Sequence, residues 1–276
     1  CAGGDIKKLY ENRTTQPKLL AEFFYQEYRL DLFIHDFTKP YFAFMHGITM
    51  GGGAGLSING RYRIAAENLV FAMPETKIGF YPDVGASYFL NQCPGYSGLY
   101  LALSGNSINC SDAYALGLIT HPIAFNNFKK AENAILNAES FSDTLLKPFI
   151  NDLGHSTLSE HLDTIDACFS KDSVTAIIDT LTQYDDWTKN VAEQLKQRSP
   201  TSLQVTFEAY HRAKTMTFND IMQMEFDISQ QFLHGGDFFE GIRAAVVDKD
   251  QRPQWQPLST TEKISQYFQS KGTKLN

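Results

Sequence analysis

The 276-residue sequence is 43% hydrophobic and 20% charged, an ordinary balance for a globular protein long enough to bury a large core. Its net charge of −7 argues against nucleic acid or an anionic membrane as the main partner, although a local basic cluster can still hold an anionic ligand. Cys1, Cys93, Cys110 and Cys168 are scattered, with no Cys-x-x-Cys pair and no Cys/His spacing suited to zinc, so a reducing compartment is expected and a metal site or disulfide framework is not.

The opening Cys1-Ala2-Gly3-Gly4-Asp5 has no strand ahead of it, so the sequence is expected to begin in the middle of a domain. Its glycines read as a turn running into a helix with Asp5 as N-cap, and the Gly4 N–H is a candidate oxyanion donor. Residues 19–32 pattern as an amphipathic helix with Leu20, Phe23, Phe24 and Tyr28 on one face; Glu27, beside that stripe, reads first as a solvated charge. Residues 41–45 form a buried-strand pattern and lead into His46-Gly47-Ile48-Thr49-Met50-Gly51-Gly52-Gly53-Ala54-Gly55, with a helix expected over 55–59. A strand, a glycine turn and a helix start leave unpaired N–H groups aimed at one point with the helix dipole behind them, a place that stabilises negative charge. No Lys-Ser or Lys-Thr follows, as a phosphate loop needs, and no acidic partner marks a dinucleotide site. By itself such a run is more often a plain tight turn; among functional readings, an oxyanion site is the better one.

Short strands are expected over 62–66 and 69–73, the second ended by Pro74-Glu75. The loop Lys77-Ile78-Gly79-Phe80-Tyr81-Pro82-Asp83-Val84-Gly85 then leads to an apolar helix, with Asp83 standing where an N-cap would stand. Glu75 and Asp83 bracket one loop at element ends, where catalytic groups tend to be mounted. A turn and helix over 104–118 and a strand over 119–123 follow, with His121 read as structural. The uncharged runs 41–60 and 84–111 are long enough to span a bilayer but are broken by Gly, Asn and Ser, and read as buried core. Helical patterns dominate from 129 to 232, so an α/β region over 1–126 and a mainly α-helical region over 127–276 are expected. Asp237 starts a last helix, and Lys249 reads as a surface lysine with the reach to meet a phosphate.

Read together, these pieces resemble the enoyl-CoA hydratase/isomerase (crotonase) superfamily. The carriers are Ala2-Gly3-Gly4-Asp5-Ile6, His46-Gly47 with Gly51-Gly52-Gly53, Met73-Pro74-Glu75 with Ile78-Gly79, and Pro82-Asp83-Val84-Gly85. The likeness is closer to its thioester-hydrolysing members through Glu27-Tyr28, the run from Lys39-Pro40 through His46-Gly47 to Gly53, Phe71-Ala72-Met73-Pro74-Glu75-Thr76, Ser199-Pro200-Thr201-Ser202-Leu203, the helix from Asp237 and Asp248-Lys249-Asp250. The resemblance implies an α/β fold, a spiral of ββα units with its start missing here, and a helical C-terminal part that often builds trimers, so a homo-oligomer is expected. It also implies an acyl-CoA substrate, with coenzyme A as part of that substrate, no separate cofactor or metal, and no nucleic-acid or membrane partner.

By position, the thioester oxygen would sit between the N–H groups of Gly4 and Gly52. Hydratases of the superfamily are expected to pair an acid at the Gly55 place with one at the Glu75 place, and dienoyl isomerases to have a third acid at the Gly55 place. With Gly55 neutral and Glu75 and Asp83 present, hydrolysis of a 3-hydroxyacyl-CoA fits best. Glu75 would attack the carbonyl or activate water, Asp83 would orient the substrate hydroxyl or the water, and Glu27 would contact the same polar end. The alternatives are an enoyl-CoA hydratase or isomerase, and a catalytically silent acyl-CoA-binding or scaffold protein. The expected address is the cytoplasm in a bacterium and the mitochondrial matrix in a eukaryote.

Overall fold

A computed structural model of the protein describes residues 1–257 and 261–275. Helices α1 (Ile6–Asn12) and α2 (Pro17–His35) precede strands β1 (Phe42–Met45) and β2 (Ile48–Met50), helix α3 (Gly52–Ile58), and strands β3 (Tyr62–Ala65) and β4 (Val70–Ala72). The members of each strand pair go to different sheets. β1 runs parallel to β3 in register Phe42↔Tyr62, and β2 runs parallel to β4 in register Ile48↔Val70. Each ββα step therefore adds one strand to each sheet, which is the winding of the expected spiral. The first residue joins the second sheet: the Cys1 ammonium donates to the Ile48 carbonyl at 2.8 Å, and the Met50 N–H donates to the Cys1 carbonyl at 3.0 Å.

A 3₁₀ turn (Glu75–Ile78) follows β4, then α4 (Ala86–Phe89), α5 (Ser97–Ser104), α6 (Cys110–Ala115) and β5 (His121–Pro122), which extends the first sheet beside β3. Beyond it come α7 (Phe128–Leu136), α8 (Leu162–Phe169), α9 (Val174–Leu181), α10 (Asp186–Lys196), α11 (Pro200–Ala213), α12 (Phe218–Phe232), α13 (Asp237–Ile242), a π-turn (Arg243–Val247) and α14 (Thr261–Gln266). Local signals set several starts. Asp5 caps α1 as expected, accepting from the Lys8 N–H at 3.1 Å, and Ser199 caps α11 with Pro200 in its first turn. In α2, Leu20, Phe24, Tyr28 and Leu32 recur every four residues and are buried, and α12 packs across that helix.

The change in character near residue 126 is a change of secondary structure within continuous packing. Buried side chains from Leu9 to Leu275 form one cluster, with a small satellite of Ile64, Ile123, Ala131 and Leu146. Several boundaries differ from expectation. The helix after the glycine run begins at Gly52, three residues early, because Gly51 (φ +53°) makes the turn by itself. Residues 104–118 form only the short α6, started by Asn109, whose side chain accepts from the Asp112 N–H at 2.9 Å. Among the described residues no helix is long and apolar enough to cross a membrane.

Candidate active site

A cavity of about 540 Å³ opens where the glycine turn, α2 and the 3₁₀ turn meet. Gly3, Gly4, Gly52, Glu27, Glu75 and Asp83 line its polar end, and Phe23, Phe24, Phe80 and Phe238 form an apolar wall. The volume and the mixture of apolar wall and few polar groups suit a small-molecule site. The structure thus brings together every residue the sequence singled out for the site.

The main chain is built for close approach. Gly52 is the first residue of α3, and no acceptor for its N–H or for that of Gly4 is found among the described residues. A Cβ on Gly3 would stand 2.9 Å from the Gly52 nitrogen, and one on Gly52 would overlap Glu27 Oε1. A Cβ on Gly51 would stand 3.0 Å from Glu75 Oε1. Glycine at these places leaves room for a ligand oxygen beside free N–H donors, as stabilisation of an oxyanion requires.

Glu75 opens the 3₁₀ turn, with Pro74 before it, and its side chain is buried. Its Oε2 has no hydrogen-bond partner among the described residues. Burial and then the Asp83 charge hold the Glu75 carboxyl well above the usual range. Glu27 is not the solvated charge of the first reading. It lies on the cavity wall, and burial followed by Asp83 pushes it up to about 8. Asp83 is not an N-cap either. Helix α4 starts at Ala86 behind Gly85 (φ +85°), with no side-chain cap, while Asp83 Oδ2 accepts from the Tyr28 hydroxyl at 2.6 Å. Burial raises Asp83 to about 7 against the lowering effect of that bond. Val84 follows with φ +55°, an uncommon and strained value for a β-branched residue, and its carbonyl accepts from Asn59 Nδ2 at 2.9 Å.

Two acids escape sequence reasoning. Asp31, one turn after Glu27 on α2, is 1% exposed, and its Oδ2 has no hydrogen-bond partner among the described residues. It fills the space beside Gly55, where a Cβ would meet Asp31 Oδ1 and the Val84 side chain at 2.7 Å each. Burial, then Glu27, Asp83 and Glu225, raise Asp31 well above the usual range. Glu225 comes from α12 and accepts from the Gly85 N–H at 2.7 Å and the Ser87 N–H at 2.9 Å. Burial takes it to about 8 in spite of those bonds. The i,i+4 spacing of Glu27 and Asp31 was a usable signal for one of them. Glu225 left no local signal, because its partners lie about 140 residues away.

The C-terminal helices hold the loop that carries Glu75 and Asp83 at several successive points. The Ser202 hydroxyl donates to the Phe80 carbonyl, the Tyr81 hydroxyl donates to the Glu225 carbonyl, and Gly241 of α13 packs so closely on the Ile78 carbonyl that a Cβ would run into it. The Ser199 and Asp237 motifs are part of the same framework: the Ser199 hydroxyl donates to Asp237 Oδ2 at 2.5 Å, and Asp237 Oδ1 accepts from the Gln256 N–H at 2.9 Å. Asp248 and Asp250 both bind Arg243 at 2.7 Å, and Lys249 between them is exposed. Among the described residues no cluster of metal-ligating side chains is found.

A model of the Enoyl-CoA hydratase/isomerase family matches residues 1–270, and the chain belongs to that family. Within it, the chain is similar to proteins named 3-hydroxyisobutyryl-CoA hydrolase, mitochondrial. The Bos taurus protein is 40% identical over 296 residues, covering 99% of this chain and 74% of the relative, and the Homo sapiens protein is 38% identical over 289 residues, with the same coverage. The crystal structure of a carnitinyl-CoA dehydratase from Mycobacterium thermoresistibile superposes with a TM-score of 0.93 at 33% identity, covering 100% of this chain and 81% of that one. The spiral fold expected from the sequence is thus the fold of this family.

Proposed function

We propose that this protein hydrolyses the thioester of a 3-hydroxyacyl-CoA, with 3-hydroxyisobutyryl-CoA as substrate and 3-hydroxyisobutyrate and coenzyme A as products. The observation that carries the reading is Glu75: a buried carboxyl with an oxygen unpartnered among the described residues, beside the Gly4 and Gly52 amides, for which no acceptor is found there either. The names of the relatives at about 40% identity support the same substrate.

In this reading the thioester oxygen lies between the N–H groups of Gly4 and Gly52, which stabilise it as it becomes an oxyanion. Glu75 then works on the carbonyl carbon by one of two routes. As a general base it takes a proton from water while the hydroxide adds, and it returns the proton to the sulfur as the C–S bond breaks. As a nucleophile it forms an anhydride and expels the thiolate, and water then cleaves the anhydride. Asp83 and Glu27, at the same polar end, orient the water and the 3-hydroxyl. Carboxyls raised toward neutral pH suit both giving and taking a proton. Coenzyme A is part of the substrate, and the chemistry uses no further cofactor. We place the reaction in a reducing compartment, in a eukaryote the mitochondrial matrix, a reading supported by relatives named as mitochondrial.

Asp31 favours a second reading, hydration of an enoyl-CoA, because it puts an acid beside the Gly55 place. Its near-complete burial behind Glu27 keeps it off the cavity wall and weakens that case. One pair of assays separates the two. With 3-hydroxyisobutyryl-CoA a thiol reagent reports hydrolysis; with crotonyl-CoA, loss of enoyl absorbance without thiol reports hydration. Tight coenzyme A binding by calorimetry with neither signal would instead mark a silent binding protein.

A further inference from the structure

Asp83 is joined to two phenols that the reaction as described does not use. Tyr28 on α2 and Tyr81 on the catalytic loop are both fully buried. The Tyr28 hydroxyl donates to Asp83 Oδ2 at 2.6 Å and lies 3.1 Å from the Tyr81 hydroxyl, which in turn donates to the main-chain carbonyl of Glu225 on α12. Asp83, Tyr28, Tyr81 and the Glu225 carbonyl therefore form a row joined by three contacts, and the two hydroxyls supply one proton each.

When Asp83 is ionised, the Tyr28 proton points to the carboxylate and the Tyr81 proton to the Glu225 carbonyl, and the middle contact holds no proton. When Asp83 is protonated, every contact is filled in one direction: Asp83 donates to Tyr28, Tyr28 to Tyr81, and Tyr81 to the carbonyl. Between the two arrangements only the Tyr28 hydroxyl turns. We propose that Tyr28 is a rotating positioning residue that partners Asp83 in both of its protonation states, with Tyr81 and the Glu225 carbonyl as its fixed far end. Asp83 thereby takes up and releases a proton in a dry site without stranding a polar atom. The proposal rests on the reading of Asp83 as part of the reactive site.

Burial holds both phenols well above their ordinary range, so they work as hydroxyls and not as phenolates. The acids that the Asp83 charge raises are Glu27 and Asp31 from α2, Glu75 from the 3₁₀ turn and Glu225 from α12, with Lys77 as the cation on the cavity wall. These surroundings stay the same in each phenol variant, so differences between variants isolate the row.

The test follows the Asp83 titration by carbon-13 NMR of aspartate-labelled protein, with Asp83→Asn assigning the resonance, alongside the pH profile of kcat. Tyr28→Phe removes the donor to the anion and raises the Asp83 pKa. Tyr81→Phe removes the acceptor that the neutral form needs and lowers it. The Tyr28→Phe shift is about one pH unit, the size expected for a hydrogen bond to a charged group, and the Tyr81→Phe shift is smaller, about half a unit, because the bond lost there joins neutral groups. A purely structural role for the phenols would leave the titration in place or move both variants the same way, and either result overturns the proposal. If Tyr81→Phe does not fold, 3-fluorotyrosine at position 28 replaces it: the stronger donor must lower the Asp83 pKa, and an unchanged value sinks the idea. Opposite shifts with no thiol release from 3-hydroxyisobutyryl-CoA would keep the rotor and reject the proposed reaction; thiol release without opposite shifts would do the reverse.

Discussion

Around the cavity, Glu27, Asp31, Glu75, Asp83 and Glu225 influence one another electrostatically, and none of them makes an ion pair among the described residues. On the face of the C-terminal part, Arg243 gathers Glu240, Asp248 and Asp250 around a single guanidinium at 2.7–2.8 Å. The same kind of side chain has opposite fates in the two places. Burial without an ion-pair partner among the described residues raises every acid of the first group, whereas Arg243 lowers Glu240 and Asp250. Glu27 and Glu225, pushed up to about 8, and Asp83, at about 7, can therefore exchange protons near neutral pH, whereas Glu240 and Asp250 are held in their charged form beside Arg243.

Four measurements bear on that contrast. The largest effect is expected from Glu75→Gln, which removes a buried acid beside the glycine turn. Thiol release should fall by about 10²–10⁴ while the thermal midpoint stays the same or rises, because a buried acid with an unpartnered oxygen is replaced by a neutral amide. Near-normal turnover would take Glu75 out of the mechanism.

Next comes Gly52→Ala. The added methyl collides with Glu27 Oε1, the movable end of a side chain, so the protein should fold with Glu27 pushed aside. Displacement at a reacting centre predicts a loss on the order of 10²-fold in kcat/KM, and an unchanged value would mean that Glu27 and the Gly52 amide do not face the substrate.

The pH dependence of stability should have opposite signs in the two groups. For the buried acids the native state holds protons that the unfolded chain has lost. Their contribution is complete below the ordinary carboxylate range and is lost as pH rises toward about 8 for Glu27 and Glu225 and about 7 for Asp83. Calorimetric midpoints should therefore decline through that window, with a shallower slope in Glu27→Gln. A slope unaltered by that change would mean that Glu27 titrates normally.

The smallest effect belongs to Arg243→Gln. Glu240 and Asp250 are lowered in the native state, so their pairing with Arg243 contributes above the ordinary carboxylate range and is lost as pH falls through their depressed values. The variant should melt a little lower at neutral pH, less so in high salt, and equal to the parent in acid. A deficit that persists in acid would point to packing of the Arg243 stem instead of its charge.

Much of the site was readable because it is local in the chain. The glycine run from Gly51 to Gly53, Pro74-Glu75 and the cap at Asp5 each act through main-chain geometry within a few residues. The reading of Asp83 as a cap went astray because its true partner, the Tyr28 hydroxyl, lies 55 residues back. Glu27 looked solvated because half-burial on a helix face depends on what covers that face, and here it is a cavity roofed by other elements.

The sequence by itself determined the strands before and after the glycine run, the glycine turn, the two acids of one loop and the family, all carried by short spacings and local backbone demands, but it missed β2 (Ile48–Met50), hidden inside that run. Only the tertiary structure decided that Asp31 stands behind Glu27, that Glu225 arrives from α12 to hold the loop, and that two phenols link Asp83 to a helix carbonyl. The reason is physical: a carboxyl's pKa and partners depend on what is excluded around it and what faces it through space. Those neighbours are brought together by packing of segments far apart in the chain, which no local pattern records.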